Sequence, residues 1–322
     1  MFDEILKESI QRNASDIHLT IGQPVFLRVN GELIFWGEIL TATDIEKILA
    51  EIVPPRLSEE LNQRLSIDFS YKKFSRRFRI NVYYQRKFPA LAIRLIAEKI
   101  PSLEEIGAPK ALKKFLTATQ GLILVTGKTG SGKSTTLAAF LNELCKVRRC
   151  HLLTLEDPIE FEYVAQDSFI SQREFGQDFL NFADAVRVAL REMPDVLLIG
   201  EIRDAETMHA ALEASAAGVL VLATLHTKSA AETAMRVETM FPLVQRDAIR
   251  DLFADEFSAI ISQQLIKIGG GRKCAAEVLL ANPAARSLIR QGKYVQLPTV
   301  MMSNQAAGMQ TMEMALKKLE TK

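Results

Sequence analysis

The sequence predicts a two-part α/β chain. A small α+β unit covers residues 1–97, and a larger unit with a mostly parallel sheet and a helical C-terminal part covers 108–322. Apolar runs at 121–126, 151–155, 196–200 and 219–225 alternate with helical periodicity, the pattern of a parallel sheet. Before residue 97 the runs are short, alternate in character and are punctuated by turn residues. Between the two parts, residues 98–107, with Ile100-Pro101 and Gly107, read as a linker.

Composition fits two cores. The chain has 322 residues, 48% hydrophobic and 25% charged, as in ordinary globular proteins. A net charge of +1 excludes a uniform polyanion coat. No apolar run approaches the roughly 18 residues needed to span a bilayer. The acidic, amphipathic start is unlike a secretory leader. Cys145, Cys150 and Cys274 form no C-x-x-C pair and are expected as reduced core residues. A cytoplasmic location is the expectation.

In the first unit, residues 2–12 read as a helix and Ala14–Thr20 as a strand. Val25–Val29 and Glu32–Trp36 flank Asn30-Gly31, a hairpin signal. Thr43–Ile52 reads as a helix with Thr43 as N-cap and Glu46 completing a capping box, stopped by Pro54-Pro55. A helix at Ser58–Leu65 and strands at Phe78–Tyr84 and Ala90–Ile96 complete the unit. Residues 72–94 carry eight Lys and Arg and no acid, interleaved with aromatics. That segment reads as a solvated hairpin, a single-strand nucleic-acid surface, or a source of arginines reaching a neighbour's nucleotide.

In the second unit, helices are expected at 133–147, Phe179–Met193, Asp204–Ala217, Ala230–Met240 and about 244–260. A strand pair near Ile261–Ile268 and Ala275–Leu280, turned by Gly269-Gly270-Gly271, precedes short helices at 283–291 and 309–320.

The chemistry centres on Gly127-Lys128-Thr129-Gly130-Ser131-Gly132-Lys133-Ser134, which matches Gly-x4-Gly-Lys-Ser/Thr between a buried strand and a helix. Glycines let successive N–H groups point inward as an anion nest, and the helix adds its positive end. The loop residues Gly127, Thr129, Gly130, Ser131, Gly132, Lys133, Ser134 and Thr135 are candidate contacts for ATP. Lys133 would meet the β- and γ-phosphates, and Ser134 would ligate Mg²⁺.

Each parallel strand ends in polar residues, and such strand ends share one edge of an open sheet. Glu201 follows a Walker-B-like run with Gly200 where many such ATPases carry aspartate. It is a candidate for Mg²⁺ binding or for the base, competing there with Glu160. His226 is a candidate γ-phosphate sensor or a packing residue. The other histidines lack metal-ligand spacing, and zinc is not expected.

Several motifs occur together and in order: Ala14-Ser-Asp-Ile-His-Leu19, Gly127–Thr136, Glu156-Asp-Pro-Ile-Glu-Phe161, Ser171-Gln-Arg-Glu174, Gly200-Glu-Ile-Arg-Asp204, Thr224-Leu-His-Thr227 and Gly308-Met-Gln-Thr311. This set resembles the PilT-type retraction ATPases of type IV pili, within the type II/IV secretion ATPase superfamily. The resemblance implies a PAS-like first domain, a RecA-like P-loop ATPase domain and a homohexamer. It also implies docking on an inner-membrane pilus platform protein, at the cytoplasmic face of that membrane and without direct nucleic-acid contact. By motif match, Glu160 is the catalytic glutamate, Glu201 the Walker B acid and His226 the second histidine of the histidine box. Arg79 and Arg94 match arginines that approach the nucleotide.

Three features depart from the family pattern: Lys128 replaces a proline, Val219 replaces the first histidine of its box, and Ala285 and Ser287 alter a retraction-linked motif. They leave an accessory PilU-like role open. Assembly ATPases of the superfamily usually carry a further N-terminal domain and a four-cysteine zinc motif. This sequence shows neither, although a short competence-type assembly ATPase remains an alternative. A nucleic-acid translocase and a binding module without turnover are the readings from other classes.

Overall fold

A computed structural model describes residues 1–96, 99–164, 167–268 and 271–320. The last residue of the expected first unit (Ala97), the first of the expected linker (Glu98) and Gly269-Gly270 of the expected glycine turn lie outside the described residues. The chain divides into two compact units, Met1–Lys99 and Ile100–Lys322.

The first unit runs α1 (Phe2–Gln11), β1 (Asp16–Thr20), β2 (Val25–Val29), β3 (Glu32–Trp36), α2 (Ala42–Ile52), α3 (Pro55–Arg64), β4 (Ser66–Lys73), β5 (Arg76–Gln85) and β6 (Phe88–Leu95). Its antiparallel sheet has the order β3-β2-β1-β6-β5-β4. Because side chains alternate along a strand, register sorts the two faces cleanly. Ile34, Leu27, Ile17, Ile93, Ile80 and Phe69 form one row across the sheet, which packs in one core with Phe2, Ile5 and Leu6 of α1 and Ile45, Ile48 and Ile52 of α2. The next row, on the other face, is Leu33, Arg28, Asp16, Arg94, Arg79 and Ser70.

Three corrections apply here. The cap of α2 is Thr41, not Thr43: its hydroxyl accepts from the Asp44 N–H, and Asp44 accepts from the Thr41 N–H in return. The same box spacing fits two residues earlier, with aspartate in place of Glu46. Pro55 does not merely stop α2; it opens α3 at the first helical position, where its missing N–H costs nothing. Strand β4 was not foreseen, because the β4–β5 hairpin turns on Phe74-Ser75 with φ of 53° and 57°. Such left-handed turns usually announce themselves by Asn-Gly, as at Asn30-Gly31.

The second unit contains β7 (Gly121–Thr126), α4 (Lys133–Val147), β8 (His151–Glu156), β9 (Phe169–Glu174), α5 (Phe182–Ala189), β10 (Val196–Ile199), α6 (Ala205–Ala216), β11 (Leu220–Leu225), α7 (Ala230–Thr239), α8 (Arg246–Glu256), β12 (Phe257–Ile268), β13 (Gly271–Leu280), α9 (Pro283–Arg290), α10 (Leu297–Ser303) and α11 (Met312–Glu320). The sheet order is β13-β12-β7-β11-β10-β8-β9, with all pairs parallel except β12–β13. Strands β7, β10 and β11 are buried along their whole length.

The expected helix over 244–260 ends instead at Glu256, and Phe257 already pairs with Leu122 of β7. Its run Phe257-Ser-Ala-Ile-Ile suits either a buried helix or a strand, and pairing with β7 decides. The α5 helix starts later than expected, because Asn181 caps it through the Asp184 N–H. Strand β9 has a mixed apolar and polar sequence and lies at the sheet edge, so apolar runs did not reveal it.

Thr41→Ala is expected to destabilise the first unit by about 1 kcal/mol, whereas Thr43→Ala is expected to stay within about 0.5 kcal/mol. Equilibrium urea unfolding of both variants checks the cap assignment.

Candidate active site

The register of the parallel strands places their ends together. Thr126 at the end of β7 lies opposite Leu225 of β11 and Ser262 of β12. Ile199 at the end of β10 lies opposite Leu155 of β8 and Ala223 of β11. The segments leaving these strands, 127–132, 157–163, 200–204 and 226–229, therefore share one edge of the sheet.

The loop 127–132 uses glycine where backbone demands it. Gly127, Gly130 and Gly132 have φ of 142°, 76° and 87°. A β-carbon on Gly127 would sit 2.4 Å from the Gln263 carbonyl oxygen, so the loop closes there only without a side chain. Gly132 is the N-cap of α4 and offers no capping side chain, which leaves the helix start with N–H groups for an anion. The buried Lys133 Nζ donates to the carbonyls of Gly127 (2.9 Å) and Lys128 (3.3 Å). Burial holds the Lys133 pKa below the usual lysine range, while the charges of Glu201 and Glu160 push the other way. Ser134 and Thr135 follow in the first turn of α4, half-buried, and Thr129 and Gly130 form the exposed loop tip. A cavity of about 360 Å³ lies against the loop, lined on other sides by Lys228, Gln263, Gln264 and Leu265.

Glu201 receives Arg203 Nη2 at 3.0 Å and lies 3.1 Å from His226 Nε2. Burial opposes its ionisation, but Arg203 and then His226 outweigh that and hold its pKa below the usual carboxylate range. Arg203 also lies 3.8 Å from Asp157. Gly200 explains itself by close approach: a β-carbon there would meet the Leu155 carbonyl oxygen at 3.1 Å and Glu156 Cα at 3.3 Å. The Thr224 hydroxyl donates to the Gly200 carbonyl at 2.6 Å and ties β11 to this turn.

Glu160 stands on a segment held from beneath. Its backbone N–H helps to favour the charged form of the Glu156 carboxylate, and the Ile159 N–H donates to Glu174 Oε2 at 3.1 Å. Glu156 is buried and accepts from the Thr154 hydroxyl at 2.7 Å and from Gln172 Nε2 at 3.3 Å. Burial pushes its carboxyl up to about 7 despite those donors. Gln172 on β9 also donates to the Phe161 carbonyl and accepts from the Tyr163 N–H, at 2.8 and 3.0 Å.

Thus the loop, Lys133, Glu160, Glu201 and His226 gather on one edge. Arg79 and Arg94 belong to the first unit, where they are direct cross-strand neighbours. Each meets a carboxylate: Arg79 Nε donates to Asp68 Oδ2 at 3.0 Å and Arg94 Nε to Asp16 Oδ1 at 2.9 Å. The residue-level reading missed Glu156, Gln172, Arg203 and Gln263. Of these, Glu156, Gln172 and Arg203 lie inside the quoted motifs, but their roles depend on which strand lies beside which.

Because the Glu156 carboxyl is raised in the folded state, its contribution to stability is present at low pH and is lost as pH climbs from about 4.5 through about 7. Relative to Glu156→Gln, the wild type is therefore expected to lose stability between about pH 4.5 and pH 7 and to level off above that. Denaturant unfolding of both proteins across that range tests it, and parallel pH profiles would remove the buried-carboxyl assignment.

The model of the type II/IV secretion system protein family matches residues 1–313. The type IV pilus retraction ATPase PilT of Pseudomonas aeruginosa is 40% identical over 322 residues, covering 99% of this chain and 94% of that protein. A twitching motility protein of Neisseria gonorrhoeae is 41% identical over 315 residues, covering 96% of this chain and 84% of its own length. The crystal structure of the pilus retraction motor PilT with bound ADP superposes with a TM-score of 0.91 at 41% identity, covering 98% of this chain and 92% of that one. The chain belongs to the type II/IV secretion system protein family.

Proposed function

We propose that the chain is a motor ATPase that couples ATP hydrolysis to retraction of type IV pili. The observation that carries the reading is a glycine-shaped loop whose buried Lys133 lies within the electrostatic reach of Glu201 and Glu160, on the same edge of the sheet. It is supported by full-length similarity to a pilus retraction ATPase and to a twitching motility protein.

In this reading the loop N–H groups and the start of α4 receive the phosphates of ATP. The Lys133 ammonium exchanges its two loop carbonyls for β- and γ-phosphate oxygens. Its buried position strengthens that contact, because little water competes. Glu160 orients and deprotonates the attacking water, on a segment held by Glu174 and Gln172. His226, held by Glu201, places a ring nitrogen toward the γ-phosphate. The Ser134 hydroxyl and the ionised Glu201 form a hard-oxygen donor set that suits Mg²⁺, which when bound neutralises phosphate charge. Arg79 and Arg94 add positive charge from the first unit, exchanging Asp68 and Asp16 for the nucleotide in a hexameric ring. The first unit is a PAS-like domain and the second a RecA-like one, and the ring docks on a membrane-embedded pilus platform from the cytoplasmic side. No helix among the described residues is long and apolar enough to cross a membrane.

An accessory retraction role is the second reading. It is favoured by the half-present histidine box, since Val219 is buried just before β11, and by the exposed Ser287 and buried Ala285 on α9. Deleting the gene in its host separates the roles. Surplus, non-retracting pili mean retraction, bald cells mean assembly, and unchanged pili with weakened retraction force mean an accessory motor.

Lys133→Ala is expected to weaken ATP binding by about 10- to 100-fold, the loss of one charged hydrogen-bonding partner. Calorimetry showing unchanged affinity would contradict the phosphate grip. Glu160→Gln and Glu201→Gln are each expected to bind ATP yet lower turnover by about 100-fold or more. Wild-type rates in both would remove these carboxylates from the reaction.

A further inference from the structure

At the pair Thr126–Ser262, β7 and β12 part company. The β7 chain turns into the phosphate loop, while β12 continues to Ile268 in partnership with β13. Gln263 is the first residue past the parting, and it is almost fully buried, at 1% exposure. It meets the loop at three places. A β-carbon on Gly127 would strike its carbonyl oxygen at 2.4 Å, and one on Gly132 would lie 3.2 Å from its Nε2. That same Nε2 donates to the Ser131 carbonyl at 2.7 Å. One side chain and its own peptide therefore fit the glycines at both ends of the loop and fasten the residue between them. Two further atoms lie here, the Ser131 hydroxyl and Gln263 Oε1, both buried and without a hydrogen-bond partner among the described residues. Both residues line the loop cavity.

We propose that Gln263 is a positioning residue for the phosphate loop, holding Ser131 through its backbone so that the Ser131 hydroxyl is presented to a phosphate oxygen of the nucleotide. The proposal rests on the reading of residues 127–134 as the phosphate grip. It adds that β12, a strand outside the motif, sets the shape of that grip. A loop anchored at its middle keeps its N–H groups aimed inward before the ligand arrives, and preorganisation of this kind appears as affinity.

The test is fluorescence titration of full-length protein with N-methylanthraniloyl-ADP, comparing wild type, Gln263→Ala, Gln263→Glu and Lys133→Ala. Gln263→Ala is expected to weaken binding by about three- to tenfold, the range for one lost neutral hydrogen bond. Gln263→Glu keeps the volume but turns a carboxylate toward the Ser131 carbonyl. Its deficit relative to wild type is expected to be larger in mildly alkaline buffer and to shrink in mildly acidic buffer, where a protonated carboxyl donates as the amide did. A residue that merely filled space would show no such recovery. If both Gln263 variants bind as wild type while Lys133→Ala is weakened, the Gln263 proposal falls and the phosphate grip stands. If wild type and Lys133→Ala bind equally poorly, the grip itself falls. Should Gln263→Ala fail to fold, the pH response of Gln263→Glu decides alone, and a constant deficit overturns the proposal.

Discussion

The parallel pairing of β7, β11, β10 and β8 is the constraint on which the second unit depends. Its register makes Thr126, Leu225, Ile199 and Leu155 finish on one side of the sheet. Strands β7, β10 and β11 are buried along their whole length, so both faces of the sheet centre are held by apolar packing. The geometry of the candidate site is thus a by-product of where hydrophobic runs stop. A loop, a glutamate after a glycine, a histidine and an acidic segment need only follow those strands to become neighbours.

Electrostatics then tune the gathered groups in opposite directions. Arg203 and His226 keep Glu201 charged against burial, whereas Glu156, deeper and surrounded by neutral donors, is held toward its protonated form. The raised Glu156 carboxyl lowers the negative charge near Glu160, whose own charge helps to raise it. Hydroxyl groups complete the inner surface. Thr126 lies 2.7 Å from Ser262, Thr233 bonds toward Thr126 at 3.4 Å, and Thr227 lies 2.6 Å from Thr233. These contacts knit the ends of β7 and β12 to the turn that carries His226.

Much of this was legible in the chain itself. The four apolar strands and the glycine loop announced themselves because burial on both faces and forced backbone angles restrict residue choice. The carboxylates after the strands were legible as acids that follow buried apolar runs. What stayed hidden depended on lateral neighbours. Nothing local in Phe74-Ser75 signals a left-handed turn, and nothing local in Phe169–Glu174 signals an edge strand. Gln263 looked like one polar residue in a strand, and only the parting of β7 from β12 gives it a task. Thr43 lost the cap to Thr41 because two overlapping boxes read alike until the helix start is fixed. The arginines of the first unit were visible as charge, but their aspartate partners are set by cross-strand register.

The start of α4 has a final consequence. Helices α5, α6, α7 and α9 each begin on a side chain that occupies their first N–H groups: Asn181, Asp204, Ser229 and Asn282. Helix α4 begins on Gly132, which cannot do so. Such a side-chain cap is worth about 1 kcal/mol to a helix. By forgoing it, the fold leaves the first N–H groups of α4 to a ligand, where α5, α6, α7 and α9 engage one of theirs internally. A polar residue installed at that position would act as a tethered competitor, always present at high local concentration and never released.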